Sequence, residues 1–276
     1  MTSVADTKER SSVHETARRS AALRAAHYLY GAEPKIFSDD LAEGLSGISR
    51  ENIHSMIDSV PAASASTCIV RSRFTEDRFA AARSRLNQYV VLGAGLDSYA
   101  LRMGEALGDL LVFEVDDPPI QDWKRQKVAE LGLKEPSQLR YVPCDFEVTT
   151  LPQALAASDF NPDAPCFVSW LGVTQYITVE ATKATLEWTA ARPKGSEIVF
   201  TYVEGNAHAD SVRENLMSMV GGLTYYTPDE MYALVKNAGF SQIEDMSEER
   251  ANELFFRGRT DGLIAPQSQR LLSAVV

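Results

Sequence analysis

The chain has 276 residues, 45% of them hydrophobic and 24% charged, with a formal net charge of −11. That is enough apolar material for a sizeable core; the acidic balance argues against nonspecific nucleic-acid binding, which needs clustered Lys and Arg, and no apolar run approaches the roughly 20 residues that span a bilayer. Three cysteines without CxxC spacing and four scattered histidines argue against a disulfide framework or a structural metal, so the expectation is a soluble cytoplasmic protein with no metal, no nucleic-acid partner and no membrane association.

Residues 1–12 are polar and terminal and read as disordered; they contain no apolar stretch of the secretory kind. From Ser12 to Tyr30 the sequence is rich in Ala, Arg and Leu, which predicts a helix ended by Gly31 and Pro34. Ile36 to Met56 reads as one or two short helices interrupted by Gly44 and Gly47. Val70 to Leu86 reads as another, with Val70, Phe74 and Ala81-Ala82 roughly on one face. Residues 13–86 thus form a helical amino-terminal portion.

From residue 87 onward the pattern changes. Short apolar runs at Tyr89–Leu92, Leu110–Phe113, Arg140–Val142, Cys166–Val168 and Ile198–Phe200 alternate with helical patterns at Asp97–Leu107, Pro119–Leu131 and Val179–Ala191. Thr227-Pro-Asp-Glu230 has the form of a capping box, its helix stops at Gly239, and Phe240–Met246 reads as a strand. Strands alternating with helices predict one α/β domain over 87–276, a parallel sheet with helices on both faces. Ligands of such sheets bind at the carboxyl ends of the strands.

The first strand end is Gly93-Ala94-Gly95-Leu96-Asp97-Ser98. Its glycines permit a tight turn and close approach of backbone to ligand, but Ser98 stands where a dinucleotide fingerprint wants a small apolar third residue. The second strand ends Glu114-Val115-Asp116-Asp117, about 20 positions after Gly95, where a carboxylate grips the ribose diol in nucleotide-binding α/β folds. Glu114 and Asp116 share a strand face. An acid at Asp97 would repel a pyrophosphate but suits a cationic ligand; it also suits a helix amino terminus by itself. S-adenosylmethionine carries an ammonium and a sulfonium and no phosphate, so the acid-rich rim of Asp97, Glu114, Asp116 and Asp145 favours it. Asp145 can accept from an adenine amino group or simply cap a turn. Arg71 or Arg73 offers a guanidinium fork for a carboxylate, or a solvated surface charge.

The ordered segments V-V-L-G-A-G-L-D-S-Y-A-L-R, V-F-E-V-D-D-P, V-P-C-D-F and F-V-S-W-L-G-V-T-Q-Y-I resemble the leucine carboxyl methyltransferase family, in particular its bacterial, actinobacterial-type branch of S-adenosylmethionine-dependent methyltransferases. T-A-R-R-S-A-A-L-R-A, R-S-R-F-T-E-D and F-R-G-R-T-D-G-L fit as well, so the likeness runs from about Thr16 to Leu263. It implies a class I methyltransferase fold, Rossmann-like, with a helical amino-terminal extension. It also implies S-adenosyl-L-methionine as cofactor, with S-adenosyl-L-homocysteine as product. By that resemblance Arg71 binds the methionyl carboxylate, and Gly93, with Ala94 and Gly95, lines the methionyl part. Asp116, flanked by Val115 and supported by Glu114, holds the ribose, and Asp145 and Phe146 contact adenine. Where many relatives carry an acid in E-G-x-x-x-Y, this chain has Leu171-Gly-Val-Thr-Gln-Tyr176, so Trp170, Thr174, Gln175 and Tyr176 are expected to line that side.

The expected reaction is methyl transfer to a carboxyl or hydroxyl oxygen of a small molecule, in the manner of secondary metabolism. His27 and Tyr28 on the amino-terminal helix are expected to help form the acceptor pocket beneath a cover. No Ser-His-Asp or Cys-His arrangement is legible, and no catalytic residue is singled out. Two other readings stand beside this one: a nicotinamide-dependent oxidoreductase, and a nucleoside-binding regulator without catalysis. The sequence does not set an oligomeric state.

Overall fold

The computed structural model describes residues 4–145, 148–205, 223–267 and 269–276, with side chains from residue 15 onward. The first helix, α1 (Val4–Tyr30), starts ahead of the expected Ser12; Ala5, Lys8, Glu9 and Arg10 are all good helix formers. Its Ala22, Ala25 and Ala26 pack with Ala42 and Ile53, small side chains letting α2 (Ala42–Ser46) and α3 (Arg50–Ser59) come close. The Ser49 hydroxyl caps α3 by accepting from the Asn52 N–H. The next helix, α4 (Ala62–Ala82), starts eight residues before the expected Val70, directly after Pro61.

The carboxyl-terminal part is a seven-stranded sheet in the order β3-β2-β1-β4-β5-β7-β6. Five strands, β1 (Gln88–Leu92), β2 (Leu111–Asp116), β3 (Leu139–Pro143), β4 (Phe167–Trp170) and β5 (Glu197–Val203), run parallel. They are short, and the inner ones are mostly apolar because both faces are covered; β3, at the edge, is only partly buried and carries Arg140. The sheet departs from the all-parallel expectation at its far edge. β7 (Gln269–Val275) lies between β5 and β6 (Gln242–Met246) and is antiparallel to both.

One sheet face packs against α4 and α5 (Tyr99–Met103), through Phe74, Phe79, Tyr89, Tyr99, Val112 and Leu271 among others. On that side α6 (Pro118–Glu130) reaches the sheet and meets α2. The opposite face packs against α7 (Leu151–Ala156), α8 (Val179–Ala190) and α9 (Pro228–Ala238), with Val90, Phe113, Val168, Phe200 and Leu272 at the centre. The capping box at Thr227 and Glu230 is formed, with the Thr227 hydroxyl accepting from the Glu230 N–H and the Glu230 carboxylate accepting from the Thr227 N–H. A short helix, α10 (Glu248–Ala251), follows β6. The order reverses between β1 and β4, the crevice where open α/β sheets bind ligands. Among the described residues no helix is long and apolar enough to cross a membrane.

Candidate nucleoside site at the strand ends

After β1 the chain turns through Gly93 and Gly95, at φ 64° and 51°. These are left-handed conformations that glycine adopts at little cost. A Cβ on Gly93 would stand 2.4 Å from Val173 Cγ2, so the turn and the β4 loop leave no room for a side chain there. The Gly93 and Ala94 N–H groups both donate to the Val115 carbonyl, at 2.9 and 3.2 Å. Asp97 turns one oxygen back to accept from the Tyr99 N–H at 2.8 Å. No Lys or Arg lies within ion-pair distance of Asp97 among the described residues.

Asp116 ends β2 facing this turn. One carboxylate oxygen accepts from the Gly95 N–H at 2.5 Å, the other from the Asp117 N–H at 2.7 Å. Each oxygen keeps a further lone pair for a hydroxyl donor. Burial pushes the Asp116 carboxyl up to about 6, against the pull of those two backbone N–H groups. Glu114, two residues back on the same face, is turned instead to the fully buried Lys124 of α6, with which it forms an ion pair. Burial pushes Glu114 up to about 7 in spite of that partner. Val115 points to the opposite, apolar core.

Arg71 on α4 reaches the end of β4. Its guanidinium makes only long contacts, 3.4 Å to Gln269 Oε1 and 3.4 Å to the Ser20 hydroxyl of α1, and lies so close to Gly172 that a Cβ there would meet Nη1 at 2.5 Å. Among the described residues no carboxylate pairs with it. Arg73, the other candidate, is committed to Asp77 at 2.7 Å and to the Ile36 carbonyl at 3.2 Å. The structure thus places at the strand ends Arg71 and Asp97, neither in an ion pair among the described residues, with the glycine turn and Asp116.

The remaining sequence candidates are distributed more widely. Asp145 follows β3, and its carbonyl accepts from the Val148 and Thr149 N–H groups; Phe146 lies outside the described residues. Trp170 is buried beside Phe200 in the core. Thr174 is fully buried and donates to the Thr201 carbonyl at 2.7 Å. Gln175 donates to the Gly172 carbonyl, and its own Oε1 is buried with no hydrogen-bond partner among the described residues. Burial raises the Tyr176 hydroxyl's pKa, with Gln175 and Arg71 opposing it. His27 is buried, and its Nε2 accepts from the Ile36 N–H at 3.0 Å. Burial, with Arg259 and Lys35 nearby, lowers its pKa to about 4, so the ring is neutral. Tyr28 is on the surface, 38% exposed.

Two neighbours of the glycine turn were not legible as such. Ala17 of α1 lies against the glycine turn, 3.4 Å from where a Gly95 Cβ would be. Arg24, an isolated charge in the Ala-rich run of the same helix, donates to Asp39 at 2.8 Å and to the Leu96 carbonyl at 2.7 Å. Asp39 also accepts from the Ser98 hydroxyl at 2.7 Å. Burial works against its charge, but Arg24, Arg102 and Ser98 together hold the carboxyl below the usual range. Ser98, the position that breaks the dinucleotide fingerprint, is therefore a joint between α5 and the loop before α2. Only a crevice of about 10 Å³ remains beside it, lined by Arg24, Glu76, Tyr89, Asp97 and Arg102. A wider, open concavity on the outer side of α6, around Asp122, Arg125 and Glu135, is remote from the strand carboxyl ends.

Against known proteins, the leucine carboxyl methyltransferase family model matches residues 17–190. YktD of Bacillus subtilis (strain 168), named as an S-adenosyl-L-methionine-dependent methyltransferase, is 34% identical over 198 residues, 68% of this chain and 65% of YktD. A Mycobacterium avium (strain 104) protein of the same designation is 32% identical over 170 residues, 60% of this chain and 52% of that protein. The matches therefore span from about half to just under two thirds of these relatives. Among solved structures, a Thermobifida fusca YX protein described as a methyltransferase superposes with a TM-score of 0.60 at 14% identity, covering 92% of this chain and 93% of that one. A DUF574 family protein of Streptomyces avermitilis MA-4680 gives 0.56 at 12% identity, covering 92% and 96%. At these identities the structures speak for the fold alone, an α/β class I methyltransferase sheet with an amino-terminal helix.

Proposed function

The chain belongs to the leucine carboxyl methyltransferase family, its cofactor is S-adenosyl-L-methionine, and from that premise we propose that it methylates a carboxyl or hydroxyl oxygen of a small molecule. The residues at the strand ends fit this cofactor. Arg71, a guanidinium in no ion pair among the described residues, suits the methionyl carboxylate; Asp97, likewise in no ion pair among them although Arg24 and Arg102 feel its charge, suits the ammonium. Asp116 has lone pairs free for the ribose diol, and Asp145 stands at the next strand end for the adenine amino group. When bound, the cofactor supplies an electrophilic methyl group.

The chain's own part is placement. Most of the acceleration of such a transfer comes from holding an oxygen nucleophile about 3 Å from the methyl carbon and in line with it. A carboxylate acceptor needs no base; an alcohol or phenol benefits from one.

The observation that carries the small-molecule reading is the seat of α1. Ala17 lies at the glycine turn, Ser20 at Arg71, and Arg24 is bonded to Leu96. A helix seated there excludes water and leaves little space for a folded protein acceptor. The three cysteines are buried and unpaired, which suits a reducing compartment such as the cytoplasm. The test is to supply methyl-labelled S-adenosylmethionine with a panel of small carboxylic acids, phenols and alcohols and to follow S-adenosylhomocysteine. Label appearing only on nitrogen or carbon acceptors, or only on a protein, would overturn the assignment.

A further inference from the structure

We propose that Lys124 is a positioning residue for nucleoside binding, acting from α6 on Asp116 through the acid end of β2; this rests on the ribose role given to Asp116 above. Lys124 is 1% exposed, and its ammonium ends on Glu114, which is equally buried. A buried ion pair is a poor source of stability, because an apolar pair of the same volume would serve the core as well or better. Its location calls for another explanation. One turn earlier on α6, Gln121 donates to the Glu114 carbonyl at 2.9 Å and to the Val142 carbonyl at 3.1 Å. The same helix therefore grips β2 and β3 by backbone and by side chain, just behind Asp116. From there the Asp116 carbonyl accepts from Cys144 and its carboxylate from Gly95.

The charges around this point are mostly of one sign. Glu114 and Asp117 come from β2 and its end, Asp97 from the turn after β1, and Asp145 from the end of β3, where the Cys144 thiol is pushed up to about 11 and stays neutral. Lys124 is the cation that acts on both Glu114 and Asp116. Without it Glu114 takes up a proton, and Asp116 holds its own proton to higher pH. A protonated Asp116 has one acceptor oxygen fewer for the diol.

The test uses the full chain and two nucleosides, adenosine and 2′,3′-dideoxyadenosine, which differ only in the diol. Calorimetry on the wild type is expected to favour adenosine about tenfold, the scale of a charged hydrogen bond. Lys124→Met should shrink that preference several-fold at pH 7 while leaving dideoxyadenosine affinity in place, and should move the acid loss of S-adenosylhomocysteine binding to higher pH. Because Lys124→Met strands Glu114 and can unfold the chain, Lys124→Met/Glu114→Gln is the second variant. It removes both charges and should fold, yet still show the reduced diol preference. A folded double variant with the wild-type preference and pH profile overturns the proposal. A wild type that binds both nucleosides equally overturns it too, by removing the ribose role on which it stands.

Discussion

The Gly95 backbone N–H donates to the Asp116 carboxylate at 2.5 Å, which ties the turn after β1 to the end of β2. With the Asp117 N–H on the other oxygen, the carboxylate is fixed before any ligand arrives. A diol meeting it spends little on orienting its partner, which is what preorganisation means for affinity.

Asp116→Asn should weaken S-adenosylhomocysteine binding by about 1–3 kcal/mol, the range for hydrogen bonds to a charged group. In the wild type, affinity should be flat above neutrality and fall as pH drops through about 6, where the buried carboxyl takes a proton. Folding moves the other way. A carboxyl raised in the folded state contributes stability that is fully present below its unfolded value and is lost as pH rises through about 6. Asp116→Asn should therefore bind worse but, at pH 7.5, resist denaturant better. Calorimetry and urea titration of the same preparation check both halves.

Arg71→Ala should weaken S-adenosylmethionine binding by about 1–3 kcal/mol and leave adenosine, which has no carboxylate, nearly untouched. Among the described residues the guanidinium makes only 3.4 Å contacts, so little folding stability should go with it. Equal losses for both ligands would show that Arg71 acts through the fold.

Gly93→Ala faces two separate penalties. Its φ of 64° is left-handed, a strain of roughly 1–3 kcal/mol for a residue with a Cβ, and the new methyl group would stand 2.4 Å from Val173 Cγ2. Adding Val173→Ala should recover the steric part of the lost melting temperature but not the backbone part. Full recovery would mean that the turn relaxes out of the left-handed region.

His27 should appear in the acid limb of stability. Its folded pKa is lowered to about 4 from an ordinary 6.5, so its contribution is present above about 6.5 and is lost as pH falls toward 4. The unfolded chain binds the extra proton; the neutral ring is needed to accept from Ile36. Replacing His27 by Gln should flatten the difference in stability between pH 7 and pH 4.5, on the order of a few kcal/mol. Urea midpoints of both proteins at the two pH values decide it; parallel pH dependences would place the acid sensitivity elsewhere.

The sequence by itself determined the elements whose signals are local. The inner parallel strands are rich in apolar residues because both sheet faces are covered there, and Thr227 and Gly239 mark helix ends by their own backbone chemistry. The glycine turn and Asp116 were legible because turn geometry and strand pleat set their spacing. Other features depend on which distant segments meet. β7 was missed because Gln269–Val275 mixes Leu, Ser and Ala with Val and becomes a strand only by filling the slot between β5 and β6. Only the tertiary structure decided that Arg71 has no ion pair among the described residues while Arg73 is bound to Asp77, although the two stand two residues apart on one helix. It likewise turned Glu114 away from the turn and onto Lys124, and buried His27 as the acceptor for the Ile36 N–H. A charged side chain's role is set by the partner it finds, and partners so far apart in the chain are supplied by the packing of whole elements, which no spacing rule encodes.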